Sequence, residues 1–460
     1  MPYILKKYYP VRNILFFLGE GLLIFLSIIL VYLYFSGWDI FLLDIVPDAL
    51  RALTVTVIFQ LTLYFFDLYD LGKLSSAVDT ATHILQAFGI GCIILAGIYY
   101  RLPNLSISNK VFFSSYIAIS IALLFWRSLY YLILQRRLFS QPLIIIGTGQ
   151  MAEKITREVE EHDDSGYRIH AFIGQSPPMY NPRKAPLLPL ETPLIDTCKA
   201  IDVDQLVVAL DDRRGTMPIT NLLTCKLQGF DIHDGCTFYE SITGKILVEN
   251  VNPAWLIFSE GFQTSKLSYF FKRILDIFLS VIGLLCSLPV TGITALLIKL
   301  ESPGPIFYLQ KRVGLRGIPF MVIKFRSMRN DAEKDGAVWA QQNDTRVTKV
   351  GGFIRKVRID EIPQMWNVLK GEMSFVGPRP ERPVFVEKLT KTIPYYSLRH
   401  SVKPGISGWA QVCYPYGASE TDALRKLEYD LYYIKNQSIF IDFLVIFRTV
   451  KTVLFQKGSR

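Results

Sequence analysis

Four apolar runs in the first 135 residues constrain this chain more than any other feature. They cover about 14–35, 49–66, 80–100 and 111–134. Three reach roughly 20 residues, the length an α-helix needs to cross the hydrocarbon of a bilayer, and the second is shorter. Inside lipid every backbone N–H and C=O must be bonded within its own segment, so such runs can only be helices. Lys6, Lys7 and Arg12 precede the first run, Arg136 and Arg137 follow the fourth, and residues 39–48 form an acidic loop. The positive-inside rule then places both flanks in the cytoplasm. The first run lacks a small-residue cleavage site, which speaks against a removable signal peptide.

Charge divides the chain. From Lys266 to Arg460 it carries 30 Lys and Arg against 16 Asp and Glu, a net +14, although all 460 residues sum to +10. A basic domain on a membrane protein points to anionic lipid, phosphate or nucleotide partners. Nucleic acid is not expected as a partner, since no DNA- or RNA-binding motif accompanies the charge. The six cysteines form no Cys-x-x-Cys and no ladder, as expected of reduced thiols on a cytosolic face, and the five histidines show no metal-ligand spacing.

Between the fourth run and the basic domain, Pro142–Ile146 reads as a buried parallel strand entering Gly147-Thr148-Gly149-Gln150-Met151-Ala152 and a helix to about Glu161. That is G-x-G-x-x-A at a strand-to-helix turn, with further strands expected at 168–174 and 205–210. The second strand ends Gly174-Gln175 without the acidic residue that grips a ribose. A structural Rossmann-like module is therefore expected, with no NAD or other nucleotide as cofactor. A sugar-nucleotide dehydratase would need a helical Tyr-x-x-x-Lys, and Tyr180–Lys184 has Pro182 inside it.

The basic domain opens with Lys266–Arg273, a basic and aromatic entry to the interface, and then about 25 apolar residues, 274–300. Pro289, two places after Ser287, is expected to break this helix, because proline removes one hydrogen bond and clashes with the preceding turn. A kinked fifth span and a re-entrant helix compete. The +14 domain that follows favours the re-entrant form, which keeps that domain cytoplasmic. Further on, Asp360-Glu361 stand just before Pro363, a residue suited to a first helical turn. There the helix dipole favours their ionised forms. An ionised Asp beside a second carboxylate can attack phosphorus while its neighbour holds a divalent metal. Lys324, Arg355, Arg379 and Arg382 alternate with glycine and proline loops, as in a phosphate-gripping pocket. Residues 439–455 read as a helix lying in the headgroup layer.

Taken in order, Lys324-Phe325-Arg326-Ser327-Met328, the dyad with its helix, Pro378-Arg379-Pro380 and Gly408-Trp409-Ala410-Gln411-Val412 resemble the bacterial sugar transferases known as polyprenyl-phosphate phosphoglycosyl transferases. The resemblance covers about Lys266 to Arg460, and the whole chain resembles the long form. It implies 1–137 as a membrane α-helical bundle of four transmembrane helices, 138–240 as a Rossmann-like α/β domain and 241–265 as a linker. Residues 266–460 would be an α-rich (α+β) membrane-associated catalytic domain with a re-entrant helix at 274–300. The implied reaction transfers hexose-1-phosphate from a UDP-sugar, UDP-glucose or UDP-galactose in type, to undecaprenyl phosphate at the first membrane step of exopolysaccharide, capsule or O-antigen synthesis. Asp360 would form the phosphosugar–aspartate intermediate with release of UMP, and Glu361 would help hold Mg²⁺. Lys324, Arg355, Arg379 and Arg382 would meet phosphate oxygens, and Glu381, Asp430 and Asp442 are further site candidates. Membrane lipids, the UDP-sugar and the polyprenyl phosphate are the implied partners, and a homo-oligomer is left open. The implied location is the bacterial inner membrane, multi-pass, with catalysis on the cytoplasmic face. Tyr414-Pro415-Tyr416-Gly417-Ala418-Ser419 resembles the exopolysaccharide branch. Cys413-Tyr414-Pro415 stand where short family members carry Asn-Gly-Arg, which leaves the sugar open.

Overall fold

The computed structural model describes residues 3–4, 7–8, 11–69, 77–138, 140–162, 165–211, 217–250, 253–259, 261–262, 265–329, 332, 345–415, 417 and 419–454. Lys6, Tyr416, Ala418 and Phe455 lie outside them. The chain divides into two compact units, Met1–Phe238 and Tyr239–Arg460.

In the first unit the apolar runs are helices α1 (Val11–Ser36), α2 (Ile45–Phe65), α3 (Ala77–Arg101) and α4 (Asn109–Gln135). Helix α1 packs on α4 and α2, and α2 packs on α3. Ile24, Ile28, Phe59, Phe88 and Leu123 are buried between them, while Leu15, Leu30, Ile93 and Phe125 face outward, as helices in lipid require. An ion pair, Arg127 to Glu20 at 2.7 Å, ties α4 to α1.

A parallel sheet follows, with β1 (Gln141–Ile146), β2 (Tyr167–Ile173), β3 (Leu187–Leu188), β4 (Gln205–Val208) and β5 (Asp231–Asp234). Its order is β3-β2-β1-β4-β5, so β1 lies at its centre. The unbroken apolar run Leu143–Ile146 is fully buried, as a central strand covered on both faces should be. Gly147 turns the chain out of β1 at φ +126°, where a Cβ would strike the Ala209 carbonyl. Helix α5 (Gln150–Glu160) starts three residues later.

The second unit is organised around α6, a 36-residue helix from Lys266 to Glu301 capped by the Ser265 side chain. The helix continues through Ser287 and Pro289. Pro289 deletes one backbone bond, the Ser287 hydroxyl donates to the Leu284 carbonyl at 3.1 Å, and the flanking turns carry the helix on. After it come the antiparallel pair β6 (Phe307–Val313) and β7 (Pro319–Phe325), then α7 (Lys349–Lys356) and α8 (Gln364–Lys370). A short parallel pair, β8 (Ser374–Val376) with β9 (Gly405–Ser407), flanks α9 (Pro383–Thr392). The unit ends in α10 (Glu420–Lys435), capped reciprocally by Ser419 and Asp422, and α11 (Ile439–Leu454). Residues 241–265, expected as a linker, contribute Ile246 and Val248 to the core formed with Leu427, Leu431 and Tyr432.

Both ends of α6 are fastened to this unit. Lys272, Asp276 and Ser280 recur every four residues and so form one buried stripe. The Lys272 ammonium donates to Asp442 at 2.6 Å, to the Tyr433 hydroxyl at 3.0 Å and to the Val376 carbonyl at 3.1 Å. Asp276 accepts from the Ser374 hydroxyl and the Phe375 amide. Lys272, which the sequence reads as part of an interfacial entry, is thus a buried tether. At the other end Ile298 packs on Phe325 and Ile354, and the Arg326 guanidinium donates to the Ile298 and Ser302 carbonyls. Leu285, Leu288, Ile293, Leu296 and Leu300 point outward along the opposite side.

Candidate transfer site

Helix α7 ends at Lys356, and Arg358 then takes left-handed backbone angles (φ +60°) that swing the chain into the tight turn Ile359–Glu361. Pro363 follows with helical angles, immediately before α8. The turn presents Asp360 and Glu361 side by side, 7% and 9% exposed, without letting either extend into water.

Three cations surround Glu361. Arg379 Nη2 lies 2.8 Å from Oε1, Lys324 Nζ lies 3.3 Å from the same oxygen, and Arg358 stands 3.8 Å from Oε2. Burial alone would raise the Glu361 pKa, but Arg379, Lys324 and Arg358 together hold it well below the carboxylate range. Asp360 behaves oppositely. Burial and then the Glu361 charge push its pKa up, against the pull of Lys324, Arg355 and Arg358. Burial thus opposes at Asp360 the ionisation that the three cations secure at Glu361. Asp360 Oδ1 is buried, and among the described residues nothing donates a hydrogen bond to it.

The remaining sequence candidates fall in several places. Arg355 closes α7 within electrostatic reach of Asp360. Glu381 pairs with Arg312 at 3.4 Å, and Arg382, at the head of α9, is a charged neighbour of the same Arg312. Asp430 is buried against Arg399 at 2.9 Å, and burial raises its pKa to about 6. Asp442 holds Lys272. Ser287 and Pro289 lie inside α6. Arg358 was not among the candidates, although its place three residues before Glu361 was a readable signal. Arg312, Arg399 and Lys272 carried none, since their partners are 69, 31 and 170 residues away.

The donor set suits Mg²⁺. Among the described residues no three His, Cys, Asp or Glu side chains gather as a metal cage. Mg²⁺ commonly takes only one or two carboxylates and completes its shell with water and substrate phosphate. The Glu361 carboxylate, buried beside Asp360, offers one such ligand. In the first unit, by contrast, the amides at the start of α5 are bonded within the chain. Asp211 accepts from the Gln150 and Met151 amides at 2.8 and 3.0 Å, where a dinucleotide phosphate would sit.

A desolvated carboxylate beside a cation-held one, in a unit whose longest helix is apolar enough to enter a membrane, is an arrangement able to serve group transfer at phosphorus. Comparison with known proteins gives that arrangement a family. Residues 267–456 match the bacterial sugar transferase model, and residues 64–222 match a CoA-binding domain model. The chain is 45% identical over 239 residues to the UDP-N-acetylgalactosamine-undecaprenyl-phosphate N-acetylgalactosaminephosphotransferase of Aeromonas hydrophila, covering 52% of this chain and 56% of that protein. It is 47% identical over 183 residues to the UDP-glucose:undecaprenyl-phosphate glucose-1-phosphate transferase of Escherichia coli, covering 39% of each. The protein of that same name from Caulobacter vibrioides is 40% identical over 185 residues, 40% of this chain and 69% of the relative. The chain thus spans little more than half, or less, of the first two relatives. It belongs to the bacterial sugar transferase family.

Proposed function

We propose that this protein transfers a sugar 1-phosphate from a UDP-sugar to undecaprenyl phosphate through a covalent aspartyl intermediate. The observation that carries the reading is the buried Asp360 with its unbonded oxygen, next to a Glu361 that three cations keep ionised. Asp360 Oδ1 attacks the β-phosphorus of the UDP-sugar. The bond to the bridging oxygen breaks, and UMP leaves with that oxygen and its electron pair. A phosphate oxygen of undecaprenyl phosphate then attacks the same phosphorus, forming the lipid diphosphate sugar and returning the Asp360 carboxylate. Desolvation makes Asp360 more basic and so a stronger nucleophile once deprotonated. Lys324, Arg355, Arg379 and Arg382 supply cationic donors for the diphosphate oxygens. Glu361 would hold Mg²⁺, which would neutralise diphosphate charge when bound.

The names of the relatives divide between N-acetylgalactosamine and glucose, so the donor is a UDP-hexose or UDP-N-acetylhexosamine. Helices α1–α4 serve as a bundle of spans, and α6 enters and leaves the membrane on the cytoplasmic side. The attachment of both ends of α6 to one fold supports this topology. Purified protein incubated with radiolabelled UDP-glucose, UDP-galactose or UDP-N-acetylgalactosamine, without lipid, should trap label on the chain and release one equivalent of UMP. Undecaprenyl phosphate should then chase the label into lipid. A requirement for lipid before any UMP forms would establish direct transfer instead.

A further inference from the structure

The Pro378-Arg379-Pro380 turn cannot hold itself. Neither proline has an N–H, so its carbonyls must find donors elsewhere. The Gly405 amide takes the Pro378 carbonyl at 3.0 Å, Arg312 takes the Pro380 carbonyl at 3.0 Å, and Arg399 takes the Arg379 carbonyl at 3.0 Å. Arg399 is buried, and both of its Nη groups donate. One Nη donates to the Tyr396 hydroxyl, while the other serves both Asp430, at 2.9 Å, and Arg379. Its guanidinium also lies over the Tyr396 ring, 5.0 Å from the centroid. From the turn so fixed, Arg379 extends its own guanidinium to Glu361 at 2.8 Å.

We infer that Arg399, oriented by Asp430, is a positioning residue that sets the reach of Arg379 through its main chain; this rests on the reading that Arg379 grips donor phosphate beside the dyad. The fixed plane of Arg399 addresses a carboxylate, a hydroxyl and a carbonyl at once. A lysine ammonium keeps the charge opposite Asp430 but cannot reproduce that fork. Since misplacement by about 1 Å can cost roughly 100-fold in rate, loosening the turn should show in turnover before it shows in folding.

A double-mutant cycle tests this in the full-length protein. Arg399→Lys should lower kcat/KM for the UDP-sugar by about 10- to 100-fold in a wild-type background. In an Arg379→Ala background the same change should cost less than about twofold, because the group it positions is gone. Asp430→Asn should repeat the pattern. Thermal melts would confirm that each variant is folded at the assay temperature. A merely structural Arg399 predicts losses that multiply in the double variant, and that result would overturn the proposal. An Arg379→Ala variant with undiminished kcat/KM would overturn it as well. Donor affinity, measured by calorimetry with the cycle rebuilt on Asp360→Asn, reads the same coupling without turnover. Turnover surviving in Asp360→Asn would defeat the covalent reading, while the affinity cycle would still decide whether Arg399 acts through Arg379.

Discussion

Asp360 and Glu361 share a turn and a degree of burial, yet their surroundings drive their protonation apart. The folded chain binds the Asp360 proton more tightly than the unfolded chain does, because burial and Glu361 raise its pKa. Ionised Asp360 therefore costs stability at neutral pH, and the fold recovers it as pH falls through the raised value. Glu361 has the reverse sign: its stabilisation is complete above the unfolded pKa and is lost only as pH falls through a depressed one. Asp360→Asn should raise the melting temperature at pH 7 while cutting UMP release below about a tenth of wild type. The gain should shrink toward pH 4 as the native carboxyl protonates. Glu361→Gln strands Arg379 and Lys324 beside a neutral amide, and the expected cost is on the order of 3 kcal/mol by denaturant melt. Equal shifts of both variants in one direction would refute the split. In wild type the acid limb of kcat should fall above the ordinary carboxylate pKa of about 4, since Asp360 sets it. The dyad was legible in the sequence because Asp-Glu before a proline is a local pattern. Its split ionisation was not, because that depends on Lys324 and Arg379 from distant segments.

Several elements end on side chains from far away in sequence, which explains which boundaries the sequence could show. The long apolar helices, the 141–146 strand and the glycine turn are local signals of apolar length and backbone freedom, and they lie where the sequence puts them. The capping partners are not local. Arg273 in α6 donates to the Val368 and Leu369 carbonyls at 2.6 and 2.7 Å, closing the C-terminal end of α8. Asp211 performs the matching service at the N-terminus of α5. Asp211→Ala should cost about 1 kcal/mol, the usual value of an N-cap, with Asp211→Asn intermediate. Arg273→Met should cost about 1–3 kcal/mol, because two carbonyls lose a charged donor. It should also depress turnover, since α8 follows the dyad directly. Unfolding monitored by urea would check both, and an Arg273→Met protein as active as wild type would disconnect α8 from the site. At Pro289 the sequence marks one lost backbone bond, and the helix continues on either side of it.

For the molecule as a whole the decisive length is that of α6. Between Lys272 and Ile298 a straight helix rises ~39 Å, more than the ~30 Å of bilayer hydrocarbon. Lys272 is held by Asp442 and Tyr433, and the Ile298–Ser302 end is held by Arg326, all within the unit that carries Asp360. Were α6 to cross the membrane, one of these attachments would have to be broken. The Lys272–Asp442 pair would then leave a buried charge unmatched, at about 3–5 kcal/mol. Burying the outward row from Leu285 to Leu300 in lipid without crossing keeps both attachments. In a cysteine-free background, Lys266→Cys and Lys311→Cys should therefore both be protected from impermeant maleimide in intact cells and both react after permeabilisation. Opposite accessibility of the two positions would demonstrate a true span. Pro289→Leu adds a second measurement, because restoring the missing backbone bond should stiffen the helix. If bending into one leaflet is what keeps both ends attached, that variant should lose turnover while its Asp360 dyad remains intact.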